Sequence, residues 1–222
     1  MTQGDGPDVG NLDSVGARVL ARMQEKNDQR ERVLALSRLV VQHAARAIRA
    51  AHRHEWDEAV RILAEGDRLV RDMNAAAAGH FDLMAAGYTL DAQKENAEAH
   101  LVHALLRGQS LPEPTALGVD DAAWLNGLGE AAAELRRAAL DAVRRGEVPE
   151  AEQLLEALQE IYVFLSTVDF PEAITRGLKR TNDMVRGVAE RTRGDLTVAA
   201  RQEDLKAAME RLERRLADTG KA

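Results

Sequence analysis

The chain has 222 residues, a net charge of −7 and no cysteine. That length gives one large domain or two small ones, with a core that needs no disulfide or structural metal. The absence of cysteine excludes disulfide scaffolds, thiolate metal sites and cysteine nucleophiles, and the acidic balance argues against a uniformly basic nucleic-acid coat. The opening MTQGDGPDVG lacks the basic and apolar regions of a signal peptide, and no apolar run approaches the ~18 residues of a membrane span. A cytoplasmic location with no membrane contact is the expectation.

Long windows of Ala, Leu, Arg and Glu with few breakers predict an all-α fold. Residues 1–11 read as a disordered tail, and residues 12–222 as a single helical domain. The first helix is expected from about Leu12 to Arg53, with Asn27 and Asp28 marking a candidate break between two apolar-periodic stretches. A second follows from Trp56 to Ala77. Gly79 and Gly87 bracket HFDLMAAG, which has no clear assignment. A third helix covers Leu90–Leu106, and RGQSLPEPTALGVDD then forms a loop. The fourth starts near Asp120 or Asp121, either of which can cap it, and ends at Arg145 before Gly146. Pro149 opens the fifth. Asp169 is expected to cap a sixth that runs to about Thr192, where Gly194 breaks it. A seventh, from Val198 to Leu216, closes the chain. Helices this long leave apolar faces uncovered in one small core, which predicts oligomerisation.

The window from Arg32 to His54 contains no acidic residue. Within it Arg38, Gln42, Arg46, Arg49 and Arg53 are spaced 4, 4, 3 and 4 apart, on one helix face opposite Leu36, Val40 and Ile48. Arginine outnumbers lysine 25 to 5 in the whole chain. A stripe of one sign repels itself, and an external polyanion relieves that repulsion through salt-sensitive phosphate contacts. A second basic region holds Arg176, Lys179, Arg180, Arg186, Arg191 and Arg193, diluted by Asp183 and Glu190. It reads as a solvated face or as salt-bridge partners across an oligomer interface. With 3% aromatic residues, extensive base stacking is excluded.

ENAEAHLVHALL, residues 95–106, carries the stripe Leu101, Val102 and Leu105, and Glu98 falls inside it, with Glu95 one turn earlier. An unpaired buried carboxylate is costly, so a compensating group is expected. His100 and His103 fall on the opposite, polar face. In the next helix Glu130 and Glu134 form an i,i+4 pair, with Glu134 bordering the stripe Trp124, Leu128, Ala131, Leu135. If the two helices pack antiparallel, Glu95, Glu98, Glu130 and Glu134 can converge. Four clustered glutamates need a counter-charge. A hard cation such as Mg²⁺, taking oxygen ligands, supplies one and can clamp the oxygens of a phosphodiester. The alternative is that these pairs face water, as on most Glu-rich helices. HEWDE lacks the second His of HExxH, and no P-loop, GxGxxG or GxSxG is present.

Together these residues resemble the translin/Trax family. AIRAAHRHEWDEAVRIL resembles its basic first helix, and ENAEAH its Gln-Glu-x-x-Glu-Ala segment. In WLNGLGEAAAEL, Trp124, Leu125, Gly127, Glu134 and Leu135 are similar to its Tyr-Leu-x-Gly-Val stretch and the Glu-Leu that follows. RRAALDAVRRGE resembles its Asn-Ser-Val-x-x-Gly-Asp, and FPEAITRGLKRTNDMVRGVAERTRGDLT the C-terminal helix of the prokaryotic branch. The match covers about residues 30–195. The resemblance implies a seven-helix translin-like bundle in a homo-oligomer, a hexamer or octamer, that binds single-stranded RNA and single-stranded DNA. It also implies Trax-like, Mg²⁺-dependent (or Mn²⁺-dependent) endoribonuclease activity, with Glu95, Glu98, Glu130 and Glu134 as the catalytic, metal-binding carboxylates. Glu130 stands where Trax subunits have Asp, and Ala123 replaces the family's Asp. Other readings of the residues are a binding-only oligomer, a helical assembly protein, or an all-α nucleotide pyrophosphatase with Glu-x-x-Glu helices.

Overall fold

The computed structural model describes residues 10–219, and within them every regular element is helical. Residues 1–9 of the expected tail lie outside the described residues. The elements are α1 (Leu12–His52), α2 (Trp56–Ala77), α3 (Phe81–Met84), α4 (Gly87–Leu106), α5 (Pro114–Leu117), α6 (Asp121–Arg145), α7 (Val148–Ser166), α8 (Glu172–Thr175) and α9 (Leu178–Thr219). Six are long and three are single turns.

Several boundaries follow from local chemistry. Asp120 caps α6 by accepting from the Ala122 amide at 3.0 Å, and Gly146 ends that helix in the left-handed conformation. The HFDLMAAG segment folds as the single turn α3, so α4 starts three residues before Leu90. Four expectations fail. The expected sixth helix is divided into α8 and α9 where Arg176 and Gly177 take positive φ. No break occurs near Asn27, because weak formers cost only tenths of a kcal/mol each against a continuous backbone ladder. Asp169 caps nothing; the cap position of α8 is Pro171. Gly194 does not interrupt α9. A glycine costs roughly 1 kcal/mol in a helix, and packing on both sides of it outweighs that. Arg136 of α6 reaches Thr192 at 3.2 Å and Asp195 at 2.8 Å, straddling the glycine, while Leu196 is buried beside Ala139, Ala142 and Leu155.

Helices α1, α2 and α4 pack as one group and α6, α7 and α9 as another, joined along an α4–α6 seam. A central core of Leu63, Leu101, Val102, Leu128, Leu135 and Leu158 spans both. The seam is close because α6 presents glycine there. A Cβ on Gly127 would lie 2.8 Å from the Lys94 carbonyl oxygen and 3.1 Å from the Glu98 amide nitrogen. Sandwiched between α1, α2 and α6, α4 buries residues on most of its circumference, including Asn96 and Glu98. Outside the core, α1 before residue 33 and α9 after Leu196 expose Leu12, Leu20, Met23, Leu205, Met209 and Leu212.

Candidate carboxylate site and nucleic-acid face

Helices α4 and α6 run side by side in the same direction, not antiparallel. At one end Gly87 and Asp91 share a cavity wall with Ala122 and Asn126; at the other Leu106 lines a small cavity with Ala138 and Asp141. The connection of residues 107–120 returns along the length of α4, and Gln93 receives the Asp120 amide at 3.0 Å. A helix of α4's length spans about 30 Å, which fourteen residues of chain cover easily.

The parallel seam still gathers the carboxylates. Glu95 and Glu98 of α4 and Glu130 of α6 each bring a carboxylate oxygen within 4.8 Å of the other two. Glu98 is buried and its partners are partly exposed. Burial, then the charges of Glu130, Glu95 and Glu134, push the Glu98 carboxyl up to about 8, against a smaller pull from Lys94. Lys94 is the compensating group in the protein itself. Its Nζ lies 2.7 Å from both Glu130 oxygens and 3.2 Å from Glu95. Burial works against that ammonium, but Glu130 and Glu95 outweigh it and hold the lysine above its ordinary value.

Glu134, one turn beyond Glu130, has a different partner. His52 Nε2, at the end of α1 and almost fully buried, meets its Oε2 at 2.5 Å, and Arg137 stands 3.9 Å away. The hydrogen bond from His52 holds Glu134 below the usual carboxylate range despite its burial. His52 belonged to the basic window of the sequence, and nothing there pairs it with a residue 82 positions away.

His100 and His103 are half-buried against neighbouring helices rather than on an open polar face. His100 Nε2 meets Asp67 of α2 at 2.8 Å, with Asn96 donating to the same oxygen at 3.1 Å. His103 packs edge-on against Trp56 with ring centroids 5.9 Å apart. A two-faced helical wheel fails here because α4 has neighbours on three sides.

The arginine stripe lies where its spacing puts it. Arg38, Gln42, Arg46, Arg49 and Arg53 are exposed, while Val40 and Ile48 are buried and Leu36 half-buried on the opposite side. Arg38, Arg46 and Arg49 have no acidic partner among the described residues; Arg53 is held by Glu55 at 2.5 and 2.9 Å. The stripe ends beside His52, so its last turn adjoins the Glu134 end of the carboxylate row.

An all-α protomer with acids on a tight parallel seam and a basic first helix defines a class of known architecture. No protein-family model matches the chain. An uncharacterized protein of Methanocaldococcus jannaschii is 28% identical over 176 residues, 78% of either chain. The crystal structure of AfC3PO matches with a TM-score of 0.72 at 29% identity, over 83% of this chain and 96% of that one. The structure of AfC3PO in complex with duplex RNA matches with a TM-score of 0.71 at 28% identity, over 83% and 95%. Apo-NeC3PO shares the fold, with a TM-score of 0.75 at 18% identity over 87% and 100%. The C3PO proteins are of the translin family, which the chain resembles in sequence and in its all-α fold.

Proposed function

We propose that this protein is a homo-oligomeric, single-stranded nucleic-acid-binding translin-like protein that cuts RNA at the α4–α6 seam with Mg²⁺ or Mn²⁺. The convergence of Glu95, Glu98 and Glu130 carries the reading. The donor set suits a hard divalent cation: three carboxylates, one so crowded that it retains a proton, and an ammonium already standing among them as a cation. Glu95, Glu98 and Glu130 would hold the ion, which when bound would offset charge on the phosphodiester oxygens. Glu134, ionised and oriented by His52, is the acceptor for the proton of the attacking water. The stripe from Arg38 to Arg53 tracks the phosphate backbone. RNA as substrate is supported by the similarity to AfC3PO, whose complex contains duplex RNA, so duplex and single strands both belong in the assay. The exposed apolar ends of α1 and α9 support assembly into a homo-oligomer, and the family resemblance implies a hexamer or octamer.

The test is cleavage of labelled RNA, single-stranded and duplex, with Mg²⁺, Mn²⁺ or EDTA. Wild type is expected to cut only with a divalent ion. Glu98→Gln, which keeps the shape and the neutral form, is expected to lose roughly 100-fold or more. Equal cleavage by Glu98→Gln would sink the assignment. A binding-only protein is the second reading, favoured by Lys94 filling the cation's position and by the longer Glu130 in place of Asp. It predicts salt-sensitive RNA affinity with no turnover under any ion, and hydrolysis of nucleoside triphosphates instead would point to a pyrophosphatase.

A further inference from the structure

A cavity of about 520 Å³ opens beside the glutamate trio, lined among others by Asp91, Lys94, Asn126, Glu130, Arg176 and Arg180. Its far wall is the elbow between α8 and α9. Arg176 sits there at φ 50, in the left-handed region that residues with a side chain rarely occupy. The elbow is pinned from α6. The buried Asn126 side chain donates to the Thr175 carbonyl at 3.0 Å and accepts from the Thr181 hydroxyl at 2.6 Å, on either side of Arg176. A strained backbone fixed by buried hydrogen bonds holds a side chain in a chosen place.

Arg61, Arg68, Arg136 and Arg145 pair with acids, whereas Arg38, Arg46 and Arg49 of the α1 stripe pair with none among the described residues. Arg176 and Arg180 pair with none among the described residues, although Asp91 and Glu130 line the same cavity. The first turn of α9 also forms this wall, and its dipole has the same sign as the guanidinium groups. Two free guanidiniums at a helix N-terminus, beside a site that receives one phosphodiester, match a second phosphate at the next position along a strand.

Building on the nuclease reading, we propose that Arg176 and Arg180 form a phosphate clamp that grips the RNA backbone phosphate adjacent to the one held at Glu95, Glu98 and Glu130. The clamp fixes the strand's register across the seam, so its chief effect is on binding and positioning.

Fluorescence anisotropy with a labelled single-stranded RNA in EDTA, across a salt series, separates binding from cutting. The variant is Arg176→Gly/Arg180→Ala, because glycine keeps the left-handed turn without strain. It is expected to bind about tenfold more weakly, with a log-log salt slope shallower by roughly 0.7 for one lost phosphate contact. Lys179→Ala/Arg186→Ala removes the same charge from neighbouring positions that do not line the cavity, and is expected to stay within about twofold. Arg180→Lys should recover part of the affinity. The clamp is overturned if the first variant matches wild type in affinity and slope, or if the control loses as much. Wild type that binds and cuts RNA while the clamp variant does so equally well removes only this inference. Wild type that binds no RNA removes the nuclease reading with it.

Discussion

Glu98 keeps a proton in the folded protein up to about pH 8, whereas an ordinary glutamate releases it near 4.5. Between those values the folded state binds more protons than the unfolded one, so stability falls as pH rises through that window. Urea midpoints at pH 5, 6, 7 and 8 in EDTA are expected to decline for wild type and to lie nearly flat for Glu98→Gln. Glu134 and Asp67 have the opposite sign. The first is held low by His52; the second by His100 and Asn96 in spite of burial, so both lose stability on acidification. An ion held at the proposed site would have to displace the Glu98 proton, so Mg²⁺ should raise the midpoint more at pH 8 than at pH 6; an equal gain at both would separate Glu98 from the ion. At this scale the sequence showed the odd position of Glu98, because helical period is a local property. Lys94 and His52 were not legible as partners, since each meets its glutamate on another helix.

The seam depends on Gly127. Gly127→Ala puts a methyl against backbone atoms of α4, which cannot swing aside as a side chain can. The expected cost is about 1–3 kcal/mol in urea unfolding, with a larger loss of divalent-dependent cleavage because the two helices carrying the acids are forced apart. Stability lost without any effect on cleavage would show that the spacing does not govern the site. Helix ends with side-chain or glycine caps, at Asp120 and Gly146, were readable because capping is short-range chemistry. The direction of α6 was not. A fourteen-residue connection is long enough to reverse or to return, and the choice lies in packing along the seam. Gly194 misled for the same reason: its local cost is offset by Arg136, more than fifty residues away.

For the whole protomer, the ends of α1 and α9 that lie outside the core leave apolar side chains uncovered. Val198, Leu205, Met209, Leu212 and Leu216 are exposed and spaced 7, 4, 3 and 4 apart, the rhythm of a coiled-coil seam. Leu205→Glu/Leu212→Glu is expected to reduce the particle mass seen by light scattering while leaving the helical circular dichroism signal nearly intact. An unchanged mass would assign assembly to other surfaces. The all-α class and the uncovered faces were legible from composition and helix length; which segments stay uncovered was not, because that depends on where the core ends.

The unbroken course of α9 has a metric consequence. Arg180 and Met209 stand on one rod, about 43 Å apart at 1.5 Å per residue, with no hinge between them. Such a rod works as a gauge block between the cavity wall and the exposed stripe. Removing seven residues from its exposed half would shorten the gauge by about 10 Å and leave the stripe on nearly the same bearing. Removing four would shorten it by about 6 Å and swing the stripe by about 40°.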